Sequence, residues 1–505
     1  MTAGTIPGYL EAGADDAPAL SSPGGKPLTY RGLRKLVSDI TASLATQGIG
    51  PNDRVGIVLD NGPEMAAAFL SIGSAATAAP LNPTYRADEF EFYLTDLRAK
   101  LLVVAEGKDS PAVGVAEKLG IPIARLNAHP EQGAGTFTLR YEGSGGTPQP
   151  VRAPSPDDIA LVLHTSGTTS RPKIVPLAHK NIAASASNIR KTLALTSNDR
   201  GLVIMPLFHI HGLIAALSAP LSAGGEVCCS PGFNALKFFG WLDEVKPSWY
   251  TGVPTMHQAI LLRAGGNQDI VKNHRLRFIR SSSSALPPTV IAELERVFGV
   301  PVVEAYGMTE AAHQMASNPL NGPRKPGTVG PSGGPEIRIV DETGATVPRG
   351  QPGEIVIKGP NVMTAYENNP NANADAFYDG WFRTGDQGVM DDDGYVAITG
   401  RLKEIINRGG EKISPREVDE IIMDHPAVHQ CVTFAMPHDM LGEEVAAAIV
   451  LRQGVAATDK ELREFASARL APYKVPKKIL ILDQIPVGAT GKLQRIGLAQ
   501  KLGLA

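Results

Sequence analysis

Short apolar runs alternate with helix-like stretches through the first part of the chain, and this rhythm constrains the fold more than any other feature. Between residues 29 and 162, stretches with helical periodicity such as 87–97 separate runs that favour strands. Strands that alternate with helices form a largely parallel sheet. Strand candidates of this kind occupy residues 55–59, 101–105, 277–280 and 300–304. We predict a large α/β domain whose ligands bind at the carboxyl ends of the strands.

The sequence changes in character after about residue 327. Strand candidates punctuated by Gly and Pro follow one another there, EIRIV, EIVIKGPN and GYVAITG, with turn sequences such as DETG and DDDG between them. Downstream of residue 400, helix-like segments alternate again with strand candidates, at 415–424, 432–435, 446–451, 459–469 and 478–482. We predict a β-rich subdomain at about 327–400 and a small α+β domain beyond it.

Composition narrows the classes of protein to which the chain can belong. Its 48 basic and 51 acidic residues give a net charge of −3, without the Lys/Arg stripe that a nucleic-acid-binding surface needs. The three cysteines, Cys228, Cys229 and Cys431, lack the C-x-x-C spacing of a zinc site. Neither a signal peptide nor an apolar run of about 18 residues is evident. We expect a cytoplasmic protein that binds no nucleic acid and spans no membrane; its oligomeric state stays open.

Residues 163–176, LHTSGTTSRPKIVP, place hydroxyl side chains and a glycine between an apolar strand and a helix-like stretch. Such a loop offers hydroxyls and backbone N–H groups to phosphate oxygens, and Lys173 adds a point charge. The G-x-x-x-x-G-K-[ST] spacing of a Walker A loop is absent. We interpret the segment as a phosphate loop of another kind; the alternative is a solvated loop rich in Ser and Thr.

Six motifs together resemble those of the adenylate-forming (ANL) superfamily of acyl-CoA synthetases. The phosphate loop is followed in order by PLFHIHG at 206–212, YGMTE at 306–310, WFRTGD at 381–386, GRLKEIINRGG at 400–410 and GKLQR at 491–495. The resemblance spans nearly the whole chain. It implies an α/β fold with an N-terminal adenylation domain of αβ-layered sheets (1–400, including the β-rich subdomain) and a small mobile α+β C-terminal domain (401–505).

The resemblance implies an AMP-forming ligase that activates a carboxylic acid as an acyl-adenylate and transfers the acyl group to CoA. ATP, Mg²⁺ and CoA would then be its cofactor and co-substrates. Two other functions stay open: a stand-alone adenylation enzyme that loads a carrier protein, and a non-enzymatic sensor of AMP or ATP. A sensor would not need the catalytic lysine of the GKLQR motif, which argues against it.

Matching the motifs position by position assigns residues to the nucleotide. Thr309 would contact the α-phosphate, and Glu310 would help to hold Mg²⁺, which prefers hard oxygen ligands. Asp386 would accept hydrogen bonds from the ribose hydroxyls, with Arg401 beside it. The remaining contacts with the phosphates, adenine and ribose would come from Thr165, Ser166, Gly167, Thr168, Thr169, Lys173, Glu304, Ala305 and Tyr306. The alternatives are a helix N-terminal carboxylate for Glu310 and a plain turn for TGD.

The resemblance also assigns roles in the C-terminal part. Lys492 would enter the site during adenylation and bind ATP, stabilising the charge that builds up at the α-phosphate. Lys403 falls at the hinge position, and Gly409 and Gly410 would let the pantetheine arm of CoA pass.

Two positions depart from the common pattern of the phosphate loop. Ser170 and Ile174 stand where many members have glycine. The β-branched Ile174 follows Lys173 directly and is expected to stiffen or crowd the loop.

The acid pocket is predicted to be polar. Two histidines, His209 and His211, would face the same side if they lay on a strand, which suggests a metal site, but no third ligand is evident. The resemblance instead places His209, Ser283 and His313 beside the acid, with His209 among the catalytic residues. Polar groups fit a fatty acyl tail poorly, which favours a small, polar or dicarboxylic acid.

The sequences around these residues, EAYGMTEAAHQMASNPL and FIRSSSSALPP, resemble the oxalate–CoA ligase branch most. Oxalate is therefore the expected acid; malonate or another short or medium-chain acid is the alternative. A further alternative is that His313 caps a helix or satisfies a buried acceptor.

Overall fold

The computed structural model describes residues 4–143, 145–165, 172–486 and 493–505. The chain divides into two compact units. The first comprises Met1–Thr165, Ile174–Glu336 and Ile357–Ala374, and the second comprises Ser166–Lys173, Ile337–Val356 and Asp375–Ala505. The two units have other boundaries than the predicted domains 1–400 and 401–505. The division into those two domains stays a prediction. In the described part of the chain, no helix combines the length and apolar character needed to cross a membrane.

The strands up to residue 317 form two sheets. They are β1 (Pro18–Ser21), β2 (Leu28–Thr29), β3 (Arg54–Val58), β4 (Thr77–Pro80), β5 (Leu101–Ala105), β6 (Ile123–Ala128), β7 (Phe137–Glu142), β8 (Ile159–Thr165), β9 (Lys173–Ala178), β10 (Arg200–Val203), β11 (Glu226–Cys229), β12 (Trp249–Gly252), β13 (Phe278–Ser281), β14 (Val302–Met308) and β15 (His313–Ser317).

The helices of the same part of the chain are mostly amphipathic connectors between strands. They are α1 (Ile6–Leu10), α2 (Tyr30–Thr46), α3 (Pro63–Ala75), α4 (Ala87–Leu97), α5 (Pro111–Leu119), α6 (His179–Thr192), α7 (Ala219–Leu221), α8 (Phe238–Val245), α9 (Pro254–Ala264), α10 (Gln268–Asn273) and α11 (Pro288–Phe298), with a π-helix at His211–Ser218 and 3₁₀ turns at Gly265–Asn267 and Thr309–Ala311.

The inner strands of both sheets are parallel, as the alternation of strands and helices predicts. The eight-stranded sheet has the order β15-β14-β13-β12-β10-β11-β1-β2, and the seven-stranded sheet has the order β7-β6-β5-β3-β4-β8-β9. Strand β5 is apolar throughout and β3 has no polar side chain after Arg54, and both are almost entirely buried, because helices cover parallel strands on both faces. Helices α4 and α5 pack on β5 in one apolar core.

The remaining strands form two five-stranded sheets. They are β16 (Glu336–Val340), β17 (Gly353–Lys358), β18 (Phe377–Tyr378), β19 (Trp381–Met390), β20 (Val396–Arg401), β21 (Ile406–Arg408), β22 (Glu411–Ile413), β23 (Val428–His438), β24 (Gly442–Leu451) and β25 (Lys478–Ile481). The helices are α12 (Pro370–Ala376), α13 (Pro415–Met423), α14 (Asp459–Ser467) and α15 (Leu498–Lys501), with a 3₁₀ turn at Leu402–Glu404.

The first of these sheets is formed by strands of the region predicted to be β-rich, and the second lies in the region predicted to be α+β. The first has the order β16-β17-β19-β18, with β20 paired to β19. The second has the order β22-β21-β24-β23, with β25 parallel to β24 and with α13 and α14 packed in one apolar core with it. The sequence DDDG, residues 391–394, forms the turn between β19 and β20, and Gly394 has a positive φ of 84° there. The α/β fold class is confirmed.

Most strand and helix bounds lie within a few residues of their predictions. The run at 300–304 is the clearest difference, because β14 begins after Pro301 and continues to Met308, where a loop was expected. The extension exists because residues 305–308 pair antiparallel with β15. A periodicity within one segment cannot reveal a pairing of this kind.

Candidate active site

The carboxyl ends of β12, β13 and β14 converge with the start of the π-helix, and polar side chains gather there. Thr251 comes from β12, Arg280 from β13, and Ser283 from the loop after β13. His211 is the first residue of the π-helix, and His313 begins the strand that folds back on β14. These strand ends are where the alternating pattern predicts a ligand site.

The rings of His211 and His313 stack, with centroids 4.8 Å apart and planes inclined by 16°. Nδ1 of His211 lies 2.9 Å from Oγ of Ser283, and Nε2 lies 2.7 Å from Oγ1 of Thr251. Burial lowers the pKa of both imidazoles well below the ordinary histidine value, so both rings are neutral at physiological pH.

Arg280 lies against both rings and is completely buried. Its guanidinium donates to Nε2 of His211 at 3.3 Å, to Nε2 of His313 at 3.2 Å and to Oε1 of Gln314 at 3.3 Å. Burial lowers the pKa of Arg280 to about 9, which still leaves the group protonated at neutral pH. Nothing in the sequence suggested a role for Arg280, because an arginine in the strand candidate FIRS looks like an ordinary strand residue.

The role predicted for His209 beside the acid stays a prediction. The histidine that contacts Ser283 and stacks on His313 is His211, whereas His209 is exposed and its ring lies 4.5 Å from that of Phe208. The assumption that 209 and 211 alternate on a strand is wrong, because His211 starts a π-helix. Among the described residues, no cluster of three or more His, Cys, Asp or Glu side chains could hold a metal ion.

Gly307 fixes the position of His313. A Cβ at residue 307 would lie 2.1 Å from the carbonyl oxygen of His313 and 2.9 Å from its Nδ1. Only glycine can stand there without displacing the strand that carries the histidine. His313 is the first residue of β15 and has a φ of 94°. It does not cap a helix.

Glu310 is buried in the 3₁₀ turn after β14, and a phenol orients its carboxylate. The hydroxyl of Tyr366 donates to Oε1 of Glu310 at 2.8 Å, and the backbone N–H of Met363 donates to the carbonyl oxygen of Glu310 at 2.7 Å. Nδ2 of Asn361 donates to the carbonyl oxygens of Ala311 and Gln314, which holds the segment 361–366 against this turn. Burial, and then the nearby carboxylate, raise the pKa of Tyr366, so the phenol stays a donor. Tyr366 and Asn361 were not predicted.

The other residues predicted to contact the nucleotide near β14 lie at the end of this strand. Glu304, Ala305 and Tyr306 are buried, and Thr309 is half-buried in the 3₁₀ turn. Oε1 of Glu304 accepts from the backbone N–H of Leu286 at 3.3 Å. These contacts fix the strand end; the assignment of the four residues to the nucleotide stays a prediction.

Asp386 and Arg401 are direct partners across β19 and β20. Nε of Arg401 donates to Oδ1 of Asp386 at 3.1 Å; the carboxylate is buried, and the arginine side chain is exposed. The structure thus brings together the two residues predicted to bind the ribose, in a regular sheet pair and not in a plain turn.

Lys403 lies in the 3₁₀ turn Leu402–Glu404, which directly follows β20. Gly409 and Gly410 form the turn between β21 and β22, with φ of 58° and 100°. This conformation favours glycine, and the Gly409 N–H donates to the carbonyl oxygen of Leu441 at 2.9 Å. The roles of these three residues as hinge and CoA contacts stay predictions.

The phosphate loop and the catalytic lysine fall mostly outside the described residues. Thr165 ends β8 and Lys173 begins β9, two neighbouring strands. Ile174 packs in the apolar core, and its expected effect on the loop stays a prediction. The other predicted residues of these motifs, Ser166, Gly167, Thr168, Thr169, Ser170 and Lys492, lie outside the described part of the chain.

The chain matches two family models and is similar to several known proteins. The AMP-binding enzyme family matches residues 11–367, and the AMP-binding enzyme C-terminal domain matches residues 417–492. An oxalate–CoA ligase of Arabidopsis thaliana is 43% identical over 511 residues, which cover 99% of each chain. An oxalate–CoA ligase of Saccharomyces cerevisiae is 41% identical and covers 94% of this chain and 92% of the yeast protein. The crystal structure of ATP-bound MatB from Rhodopseudomonas palustris superimposes with a TM-score of 0.88 at 29% identity and covers 99% of both chains.

Proposed function

The chain belongs to the AMP-binding enzyme family and is an AMP-forming acid–CoA ligase, and on this premise we propose that its acid substrate is oxalate. The observation that supports the proposal is the polar cluster at the ends of β12–β14, in which Ser283 and His313, two residues predicted to contact the acid, are joined through His211. The names of the two oxalate–CoA ligases that resemble this chain support the same choice.

The cluster disfavours an acid with an apolar tail. A methylene packed against Ser283 would cover its hydroxyl without offering it a hydrogen-bond partner, at a cost of about 1–3 kcal/mol. A second carboxylate would instead accept a hydrogen bond from that hydroxyl. Oxalate is the smallest acid that carries two carboxylates.

The reaction proceeds through two displacements. A carboxylate oxygen of the acid attacks the α-phosphorus of ATP, and the bond to the bridging oxygen breaks to release pyrophosphate. The sulfur of CoA, which loses its proton, then attacks the carbonyl carbon of the acyl-adenylate, and AMP leaves. We propose that Thr309, the phosphate loop residues and Lys492 stabilise the negative charge of the first step, and that Asp386 and Arg401 hold the ribose.

The residues present fit a magnesium ion. Mg²⁺ is usually held by one or two carboxylates together with phosphate oxygens, and Glu310 is a buried carboxylate at the end of β14, oriented by Tyr366. Bound there, the ion would neutralise charge on the phosphates of ATP. The chain's part is to hold Glu310 in one orientation.

The test is acid-dependent release of pyrophosphate with ATP and Mg²⁺, compared for oxalate, malonate, acetate, benzoate and octanoate, with and without CoA. We expect oxalate to give the highest kcat/KM and CoA to be consumed with it. A preference for benzoate or octanoate would contradict the assignment of Ser283 and His313 to the acid and leave the enzyme class intact.

A further inference from the structure

We propose that Arg280 selects for a dianionic acid, because its buried guanidinium supplies, through His211 and His313, the positive charge against which the second carboxylate of the substrate binds. This inference rests on the proposed function, since it concerns the acid side of the same site. It adds a residue that no motif pointed to.

Arg280 carries a buried charge without a counter-ion among the described residues. Arg280 is completely buried, and no carboxylate of the described residues forms an ion pair with it. Its Nε has no hydrogen-bond partner in the described ranges. A buried guanidinium is ordinarily paired with a carboxylate, because desolvation of an unpaired charge is costly. The groups around Arg280 are instead histidines, a threonine and an amide.

The side chains around Arg280 supply no negative charge. The neighbours His211 and His313 are basic, and both are held neutral by burial and by the adjacent arginine. The site therefore carries one fixed positive charge and no negative one among these side chains. A cluster of this kind favours an anion that replaces the missing counter-ion.

The hydrogen bonds of the cluster run from Arg280 towards Ser283. Arg280 donates to Nε2 of both imidazoles, so the proton of each ring lies on Nδ1. His211 then donates from Nδ1 to Oγ of Ser283, which leaves the serine hydroxyl hydrogen to be donated onward. Ser283 is exposed, whereas Arg280 is not, so the arginine acts as a positioning residue and the serine provides the contact with the acid.

The experiment compares oxalate with oxamate, in which a neutral carboxamide replaces one carboxylate. Wild-type enzyme is expected to prefer oxalate in kcat/KM. In Arg280→Met this preference is expected to fall by at least about tenfold, mainly through the KM for oxalate, while the KM for ATP is unchanged. Sodium oxalate with AMP should raise the thermal midpoint of the wild type and not that of Arg280→Met.

Two further variants separate selectivity from structure. Arg277→Met removes the same charge just before β13, where Arg277 pairs with Asp199 at 2.8 Å, and should leave the oxalate-to-oxamate ratio unchanged. Arg280→Lys keeps the charge with fewer donors and should retain a preference for oxalate. If Arg280→Met fails to fold, loss of all preference in a folded Arg280→Lys overturns the inference. An unchanged oxalate-to-oxamate ratio of kcat/KM in Arg280→Met also overturns the inference and gives Arg280 a purely structural role.

The outcomes distinguish this inference from the proposed substrate. If the wild type activates malonate or sulfoacetate and not oxalate, the choice of oxalate fails, whereas loss of that dianion's activity in Arg280→Met still supports the role of Arg280. If the wild type activates only monoanions such as acetate, with equal rates in Arg280→Met, the role of Arg280 is refuted.

Discussion

Single residues decide the chemistry of this site, and some of them are visible in the sequence. Ser283 and His313 were predicted from the resemblance of the sequences around them, and both contact His211 in one cluster. His211 is the first residue of the π-helix, and no periodicity in the sequence predicts where that helix begins. Arg280 escaped notice because the desolvation of its guanidinium arises only from the tertiary fold.

Tyr366→Phe tests the orientation of Glu310. The change removes the hydroxyl that donates to Oε1 and keeps the ring, so the carboxylate loses a fixed partner. Groups that orient metal ligands typically affect metal affinity by about 10–100-fold when removed. We expect the Mg²⁺ concentration for half-maximal pyrophosphate release to rise by about tenfold, and binding of Mn²⁺ in the presence of ATP, followed by electron paramagnetic resonance, to weaken.

Tyr141→Phe is the matched control, since the Tyr141 hydroxyl lies 2.8 Å from Oγ of Ser43 and serves no predicted site residue. Equal Mg²⁺ dependence in Tyr366→Phe and the wild type would remove Tyr366 from the metal site.

At the scale of elements, one buried ion pair joins α13, β23 and the segment that follows GKLQ. Oδ1 of Asp419 accepts from the backbone N–H of Thr433 at 2.6 Å, and Oδ2 lies 2.7 Å from Nη1 of Arg495. Arg495 also donates to Glu404 at 3.1 Å, next to the predicted hinge residue. The sequence predicted α13 and the core of β23 as separate elements; their connection through Asp419 required the fold.

Arg495→Ala should therefore destabilise this sheet strongly. It leaves the buried Asp419 carboxylate without its arginine partner; burial already raises the pKa of that group although the arginine opposes the shift. Removal of one partner of a buried pair costs about 3–5 kcal/mol. Native-state hydrogen exchange of the β23 and β24 amides measures the loss. Lys460→Ala, which removes an exposed partner of Glu464, should change exchange little, and equal effects of both variants would contradict the prediction.

For the whole molecule, the alternation of strands and helices in the sequence was enough to predict the α/β class. It could not predict that residues 337–356 and 375–400 cluster with the C-terminal residues, because that grouping depends on contacts between distant segments. Which polar groups are buried likewise becomes evident only in the folded chain. His179 and His257 are both buried, and desolvation lowers the pKa of each to about 4.

These two histidines predict acid sensitivity. Their folded-state pKa lies below the ordinary value of about 6.5, so the unfolded chain binds more protons between pH 6.5 and 4, and stability falls as the pH is lowered through that window. Each group contributes a slope of up to about 1.4 kcal/mol per pH unit. Thermal melting from pH 7 to pH 4.5 should show a falling midpoint, with a smaller slope in His179→Gln. A midpoint that stays constant over this range would contradict the prediction.

The uncompensated charge of Arg280 has a consequence for the enzyme in a cell. A protein that keeps a guanidinium desolvated to recognise its substrate is less stable without that substrate. The acid whose carboxylate serves as the counter-ion of the guanidinium is then a ligand that stabilises the native state. The amount of folded enzyme should then follow the supply of its own substrate. Molecules newly made where the acid is scarce would be degraded sooner, so that abundance of the ligase is adjusted to demand without a separate regulator.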